Sequence, residues 1–293
     1  MSIAYLGPSG SFTEAALNGL GVPGSTAVPY PTVRQALDAV RRGEAAAGVV
    51  PWENSVEGSV TESVDSLTTG KDLAIVGETL LRVEFALAVP AGGDLGTVRE
   101  VVTHPVAHAQ CRAWLHTHLP QAAVVTAGST AQAARDVGAS GAPGRAAIAA
   151  PGTLRRYGLE VLATGIGDRP DAVTRFVKVA RPPVPGAHPR AHPTGVDRTS
   201  LVVPLADQMQ HLHAVLEEFV RSKVPLTAVL SRPGGFGLGT YSFLLECEGH
   251  VDDPGVGFVV AALARRHAAF VLGSYPRADQ PPRPALTTTT VSR

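Results

Sequence analysis

The sequence predicts an α/β protein in two unlike parts, and three features carry that reading. Over residues 1–180, short apolar runs end in small polar residues and lead into Ala-rich helical stretches, the rhythm of βα units in a mostly parallel sheet. A stretch dense in proline and glycine, "RPPVPGAHPRAHPTGVDR" at 181–198, ends that rhythm and reads as a linker. After it, residues 199–275 alternate strand and helix patterns in the order βαββαβ, the split ferredoxin-like arrangement.

In the first part, four strand-to-helix joints share one chemistry. "IAYLG" leads to Ser11, with Glu14 three residues on. "GVV" leads through "PWENSVEG" to Ser59, with Glu62 three on. "VVT" leads to "HPVAHAQC", with Pro105 at the first helical position, and "AVVTAG" leads to Ser129, with Gln132 three on. Ser-x-x-Glu and Ser-x-x-Gln predict capping boxes, which satisfy free amides at helix starts. Four such joints put helix N-termini beside the carboxyl ends of strands, where open α/β sheets bind ligands and where the helix dipole favours negative charge. The expected ligand is a small anion, a carboxylate. No Gly-x-Gly-x-x-Gly or P-loop is found at these joints, which argues against a nucleotide. "DAVTRFVKVA" at 171–180 reads as the last strand of this part, although Thr174 and Arg175 interrupt its apolar run.

In the second part "TSLVVPL" predicts a strand and "HLHAVLEEFVRSK" a helix with Leu212, Val215, Leu216 and Phe219 on one face. "LTAVLSR" and "GTYSFLLECEG" are strands, "GVGFVVAALARRHA" is a helix and "FVLGSY" a closing strand. So small a unit is expected to leave an edge strand and one sheet face open, which favours pairing with a copy of itself. Residues 276–293 carry little to bury and are expected to be a disordered tail.

Composition narrows the partners. The 25 basic and 25 acidic residues cancel, so neither nucleic acid nor an anionic membrane is indicated. No basic n-region with an apolar h-region opens the chain and no run of 18 apolar residues occurs, so a cytoplasmic protein is expected. Cys111 and Cys247 are too few and too distant for a disulfide framework and are expected to be buried apolar residues. The ten histidines show no metal-ligand spacing: His211 and His213, two apart on a helix, do not face each other.

With "IAYLGPSGSFTEAA", "GVVPWENSVEGSV", "THPVAHAQC", "STAQAA", "AAIAAPGTLRRYGLEVLATGIGD", "TRF", "LSRP" and "YSFLLECEGH" all in order, the sequence resembles prephenate dehydratase with a C-terminal ACT regulatory domain. The resemblance implies a catalytic domain over 1–180 built of two lobes like type 2 periplasmic-binding proteins, with interlobe crossings near 78–89 and 165–178. It implies an ACT domain over 199–275, a homodimer or homotetramer, and L-phenylalanine as effector. The reaction implied is conversion of prephenate to phenylpyruvate with loss of water and carbon dioxide, with no cofactor and no metal. An arogenate dehydratase and a non-catalytic cleft-binding protein are the alternatives.

A site for prephenate must hold two carboxylates and assist one departing hydroxyl, and aromatisation supplies the driving force, so positioned hydrogen bonds matter more than a nucleophile. Asn54, Ser55, Ser59, Thr103, Gln110, Ser129 and Thr130 are the candidate contacts. The resemblance makes Thr174 the hydrogen-bond donor to the leaving hydroxyl. Arg175 either pairs with a substrate carboxylate or braces Glu53 or another acid. Glu53 has a proton-handling reading and a bracing one, the latter favoured because a carboxylate repels a dianion. Phe176 is an apolar wall or plain core, and Cys111 lines the site or packs its helix.

The chain departs from the family pattern at Ala172, usually asparagine, at Val106 and His108, and at Trp52, usually isoleucine. In the ACT domain "MQHL" at 209–212 stands for Pro-Gly-Ala-Leu and Leu230 for the acid of Glu-Ser-Arg-Pro. The effector residues are then Leu212, Ser231, Arg232 and Pro233, and inhibition by phenylalanine is expected to be weakened or absent.

Overall fold

The computed structural model describes residues 2–22, 26–182, 191–205, 211–234 and 240–278. The chain begins β1 (Ile3–Leu6), α1 (Phe12–Gly19), β2 (Ala27–Tyr30), α2 (Val33–Arg41), β3 (Ala47–Asn54), β4 (Gly58–Ser59), α3 (Thr61–Thr68) and β5 (Ala74–Arg82). It continues β6 (Ala86–Pro90), β7 (Glu100–Thr103), α4 (Pro105–Gln110), α5 (Arg112–His118), β8 (Ala123–Thr126), α6 (Thr130–Ser140), β9 (Arg145–Ala149), α7 (Pro151–Arg156), β10 (Leu159–Thr164) and β11 (Val173–Ala180). The last elements are β12 (Asp197–Leu205), α8 (Leu212–Arg221), β13 (Leu226–Pro233), β14 (Tyr241–Glu248), α9 (Pro254–His267) and β15 (Phe270–Pro276).

Three sheets result. The first has the order β2-β1-β3-β11-β5 with β4 on β3, the second β10-β6-β9-β7-β8, and the third β13-β14-β12-β15. The first two are mixed rather than mostly parallel. β1 runs parallel to β2 and β3, and β7 to β8 and β9, but β11 is antiparallel to both its neighbours, as is β6. The departures lie where the chain changes sheets: it leaves the first after β5 for β6 and returns from β10 to β11, with no crossover helix to reverse it.

Three of the four expected joints hold. Ser11 accepts from the Glu14 N–H, His104 from Val106 with Pro105 in the first turn, and Ser129 from Gln132. The fourth is corrected: the N-cap of α3 is Val60, without a side-chain bond, because Ser59 is drawn into β4 opposite Glu53. Thr32, which starts α2 by accepting from Gln35, joins the set.

The third sheet follows the expected order, with β12 starting at Asp197 and all pairings antiparallel. Val215 and Phe219 of α8 are buried, with Glu218 beside them tied to Arg266, whereas Leu216 is only partly covered. The expectation of an open sheet face is overturned. Val202, Leu244, Leu272 and Tyr275 share one core with Val50, Trp52, Ile75 and Val177 of the first sheet. The approach is so close that a Cβ on Gly273 would stand 2.2 Å from the Ile75 carbonyl oxygen, a position only glycine fills. β13 remains an edge strand.

Pro276 closes β15, and Arg277 and Ala278 donate backbone bonds to Val196 and Glu78, so these three residues of the expected tail are ordered. The rest of the expected tail, residues 183–190 of the expected linker, and Met209 and Gln210 of the expected effector loop lie outside the described residues. Cys111 and Cys247 are buried free thiols, and burial pushes both upward in pKa, Cys247 to about 12.

Candidate active site

A cavity of about 620 Å³ opens between the first two sheets. Its walls are the starts of five helices and the cavity-facing residues of two strands. Ser11, Thr32, Val60, His104 and Ser129 stand at the helix starts, and Asn54, Thr174 and Phe176 come from β3 and β11. Among the described lining residues there is no lysine or arginine, and Glu57 and Glu62 are acids. An anion here is met by backbone N–H groups and helix dipoles rather than by a formal cation.

At the floor, the Asn54 side-chain nitrogen donates to Thr174 Oγ1 at 2.8 Å. The Asn54 carbonyl oxygen accepts from the N–H groups of Val56 and Glu57, so the amide is held at both ends and its orientation is fixed. Thr174 therefore receives a bond on its oxygen, and no protein group among the described residues accepts its proton, which is free to point into the cavity. Gln110 lines the same wall with a buried Oε1 that has no partner among the described residues.

His104 belongs to this lining and was not singled out from the sequence. Its Nδ1 accepts from Val106, which puts the ring proton on Nε2, and burial pushes its pKa down, so the ring is neutral near pH 7. The His-Pro pair at a helix start is the signal that could have found it.

Alternation along β11 separates residues that are adjacent in sequence. Thr174 and Phe176 face the cavity, while Arg175 points to the far side and is buried against Glu246 at 2.6 Å and Glu78 at 3.2 Å, with Glu53 at 3.4 Å. Burial opposes its charge, but the adjacent carboxylates, Glu246 foremost, raise its pKa, so it stays a cation. Of the two readings of Arg175, the geometry matches the brace. Glu53 likewise stands on the far side, half-exposed.

Three further candidates do not line the cavity. Ser55 closes a pair with Val173, accepting the Val173 N–H on its hydroxyl at 3.0 Å. Thr103 is fully buried and donates to the Ile148 carbonyl. Cys111 packs in the core of the second sheet. Ser59, Ser129 and Thr130 do line it, as does Phe176. The effector candidates Ser231, Arg232 and Pro233 lie on β13, and Leu212 opens α8. Arg232 makes a two-pronged bond to Asp65 of α3 at 2.6 and 2.7 Å, tying β13 to a helix whose start lines the cavity.

A clasp joins the first two sheets. The loop after β1 is held by α7: Tyr157 donates to the Ser9 carbonyl at 2.7 Å, Thr153 to the Gly10 carbonyl at 2.5 Å, and Arg156 pairs with Glu14 at 2.7 Å. Glu14 also accepts from the Gly10 N–H and the Ser9 hydroxyl.

A family model described as prephenate dehydratase matches residues 3–184. The chain belongs to the prephenate dehydratase family. A prephenate dehydratase of Amycolatopsis methanolica is 45% identical, over 94% of this chain and 89% of the relative. A crystal structure of the prephenate dehydratase of Arthrobacter aurescens in complex with L-Phe is similar with a TM-score of 0.86 at 44% identity, covering 96% of this chain and 92% of that one. A structure described as GqqA, a novel type of quorum quenching acylase, is also similar, with a TM-score of 0.82 at 29% identity, over 94% of this chain and 98% of that one. Prephenate dehydratases are hydro-lyases, and no helix among the described residues is long and apolar enough to cross a membrane.

Proposed function

We propose that the cavity between the first two sheets binds prephenate and that Thr174 hydrogen-bonds the hydroxyl that leaves. The observation that carries this reading is the Thr174 hydroxyl, which lines a cavity walled by helix N-termini, accepts from Asn54 and has no acceptor for its proton among the described residues. In the reaction the bond between ring and carboxylate carbon breaks, its electrons complete the aromatic ring, and the hydroxyl departs from the opposite carbon. Carbon dioxide, phenylpyruvate and, with one proton, water result. Threonine is too weak an acid to give that proton up fully, so its part is a hydrogen bond that strengthens as charge gathers on the leaving oxygen. The carboxylates are held by N–H groups at the starts of α1, α2 and α6. A departing carboxylate free of a cationic partner loses its charge more readily than a paired one.

Asn54, Ser59, Gln110, Ser129, Thr130 and Phe176 complete the substrate shell in this reading, with Arg175 and Glu53 as braces behind it. The first two sheets are the two lobes of a type 2 periplasmic-binding-like domain, and the third is an ACT domain that takes part in a homodimer or homotetramer. The complex of a 44% identical relative with L-Phe supports L-phenylalanine as the effector class. The altered effector loop supports a weakened response. Formation of phenylpyruvate from prephenate, compared between the wild type and Thr174→Val, tests the assignment. An unchanged rate in the variant would remove Thr174 from the chemistry.

A further inference from the structure

Behind the cavity, one carboxylate grips both strands that bring Asn54 and Thr174 together. Glu246 lies on β14 of the third sheet and is fully buried. Its Oε2 accepts from Arg175 Nη2 at 2.6 Å and from Arg198 Nη1 at 3.1 Å. Its Oε1 accepts from Trp52 Nε1 at 3.2 Å and from the Ser200 hydroxyl at 2.9 Å. Trp52 belongs to β3 and Arg175 to β11, so a residue from a separate sheet ties the two strands from the rear.

The pairing of those strands gives this grip its meaning. Thr174 pairs with Asn54 and Arg175 with Glu53, but Phe176 pairs with Pro51, which leaves Trp52 as the extra residue of a bulge. In an unbroken strand, Pro51 and Asn54 are three apart and face opposite sides. With the bulge, both line the cavity. The bulge is therefore what aims Asn54 at Thr174, and it interrupts the ladder that would otherwise hold the strands in register. The Trp52 indole N–H on one strand and the Arg175 guanidinium on the other supply the missing constraint, both on Glu246. An isoleucine at position 52 would have no side-chain N–H to offer, so this arm of the grip depends on Trp52.

We propose that Glu246 is a positioning residue for the dehydration, acting through Trp52 and Arg175 on the Asn54–Thr174 pair. The third sheet is then a working part of the active site rather than an appendage. This inference rests on the reading of Thr174 as the donor to the leaving hydroxyl.

Trp52→Phe keeps the ring bulk and removes the indole N–H, while Glu246→Gln keeps the shape and removes the charge facing Arg175. Both are to be measured with prephenate on protein shown to be folded by near-UV circular dichroism. The expected result is a fall in kcat of about 10-fold or more with KM held within about twofold, because displacement of a positioned group costs rate rather than ground-state binding. Once Asn54→Ala has removed the group being aimed, adding Trp52→Phe should cost nothing further, since two changes in one chain of contacts are not additive. If both variants lower only the melting temperature and leave kcat at the wild-type value, or if the Asn54 and Trp52 losses multiply, the proposal is overturned. Should Glu246→Gln not fold, Trp52→Phe decides alone. Thr174→Ala, measured alongside, separates the two levels: an unchanged kcat there refutes the role of Thr174, whereas a large loss there with normal kcat in Trp52→Phe refutes only the role of Glu246.

Discussion

The Asn54 amide donates to the Thr174 hydroxyl oxygen at 2.8 Å, from a residue paired directly opposite on the neighbouring strand. A hydroxyl that already accepts one hydrogen bond is oriented and better able to donate the next. This fixes an order of effects. Thr174→Val should lower kcat by about 10²-fold or more, the range of a lost proton-donating group. Asn54→Asp keeps the turn bonds to Val56 and Glu57 but replaces the donor with an acceptor, which draws the Thr174 proton away from the cavity. It should cost more kcat than Asn54→Ala while leaving the melting temperature closer to wild type. Steady-state kinetics beside thermal melts would check this; equal kcat in the two Asn54 variants would contradict it.

The clasp between the loop after β1 and α7 joins the first two sheets, between which the cavity lies. Tyr157→Phe deletes its bond to the Ser9 carbonyl and should cost about 1 kcal/mol of stability. KM for prephenate should rise while kcat changes little, because the bond ties together the two sheets that enclose the cavity and does not touch Thr174. A fall in kcat at constant KM would show that the clasp sets the chemistry instead.

Glu14 gives the clasp a pH signature. Burial would raise its pKa above 4.5, but the Gly10 N–H, the Ser9 hydroxyl and the Arg156 guanidinium outweigh burial and lower it. A carboxyl lowered in the folded state adds stability that is present above its unfolded pKa and is lost as pH falls through the folded value. Glu14→Gln should therefore melt below wild type at neutral pH, and the gap should close as pH drops below about 4.5. A gap that stays constant with pH would mean that the Glu14 charge contributes nothing.

L-phenylalanine should leave a substantial fraction of activity at saturation. Leu230, where the family pattern has an acid, packs against the core shared by the first and third sheets. Leu230→Glu should therefore lower the melting temperature and not restore full inhibition, since a carboxylate placed there would be partly buried without a cation. Activity and thermal-shift titrations with L-phenylalanine would check this, and complete inhibition of the wild type would contradict it.

Much of the site was legible because helix starts announce themselves locally. Ser11 and Ser129 act within a few residues and cap their helices as the spacing predicts, and Pro105 stands in the first turn of its helix as expected. Ser59 failed for a reason no local pattern carries: pairing of β4 with β3 took it out of the helix start. Ser55 and Thr103 have the right polarity, but their hydroxyls are spent on the backbone of Val173 and Ile148.

By itself the sequence determined the family, the βαββαβ order of residues 199–275, three of the four helix starts it singled out before them, and residues that could meet an anion, because periodicity, caps and motifs are short-range properties of the chain. Only the tertiary structure decided which way Thr174 and Arg175 face, that Trp52 forms a bulge, and that Glu246, 71 residues from Arg175, is its counter-ion. Strand register and sheet-on-sheet packing join distant segments, and a side chain changes face with a shift of one residue, so neighbours in sequence became opposites in function.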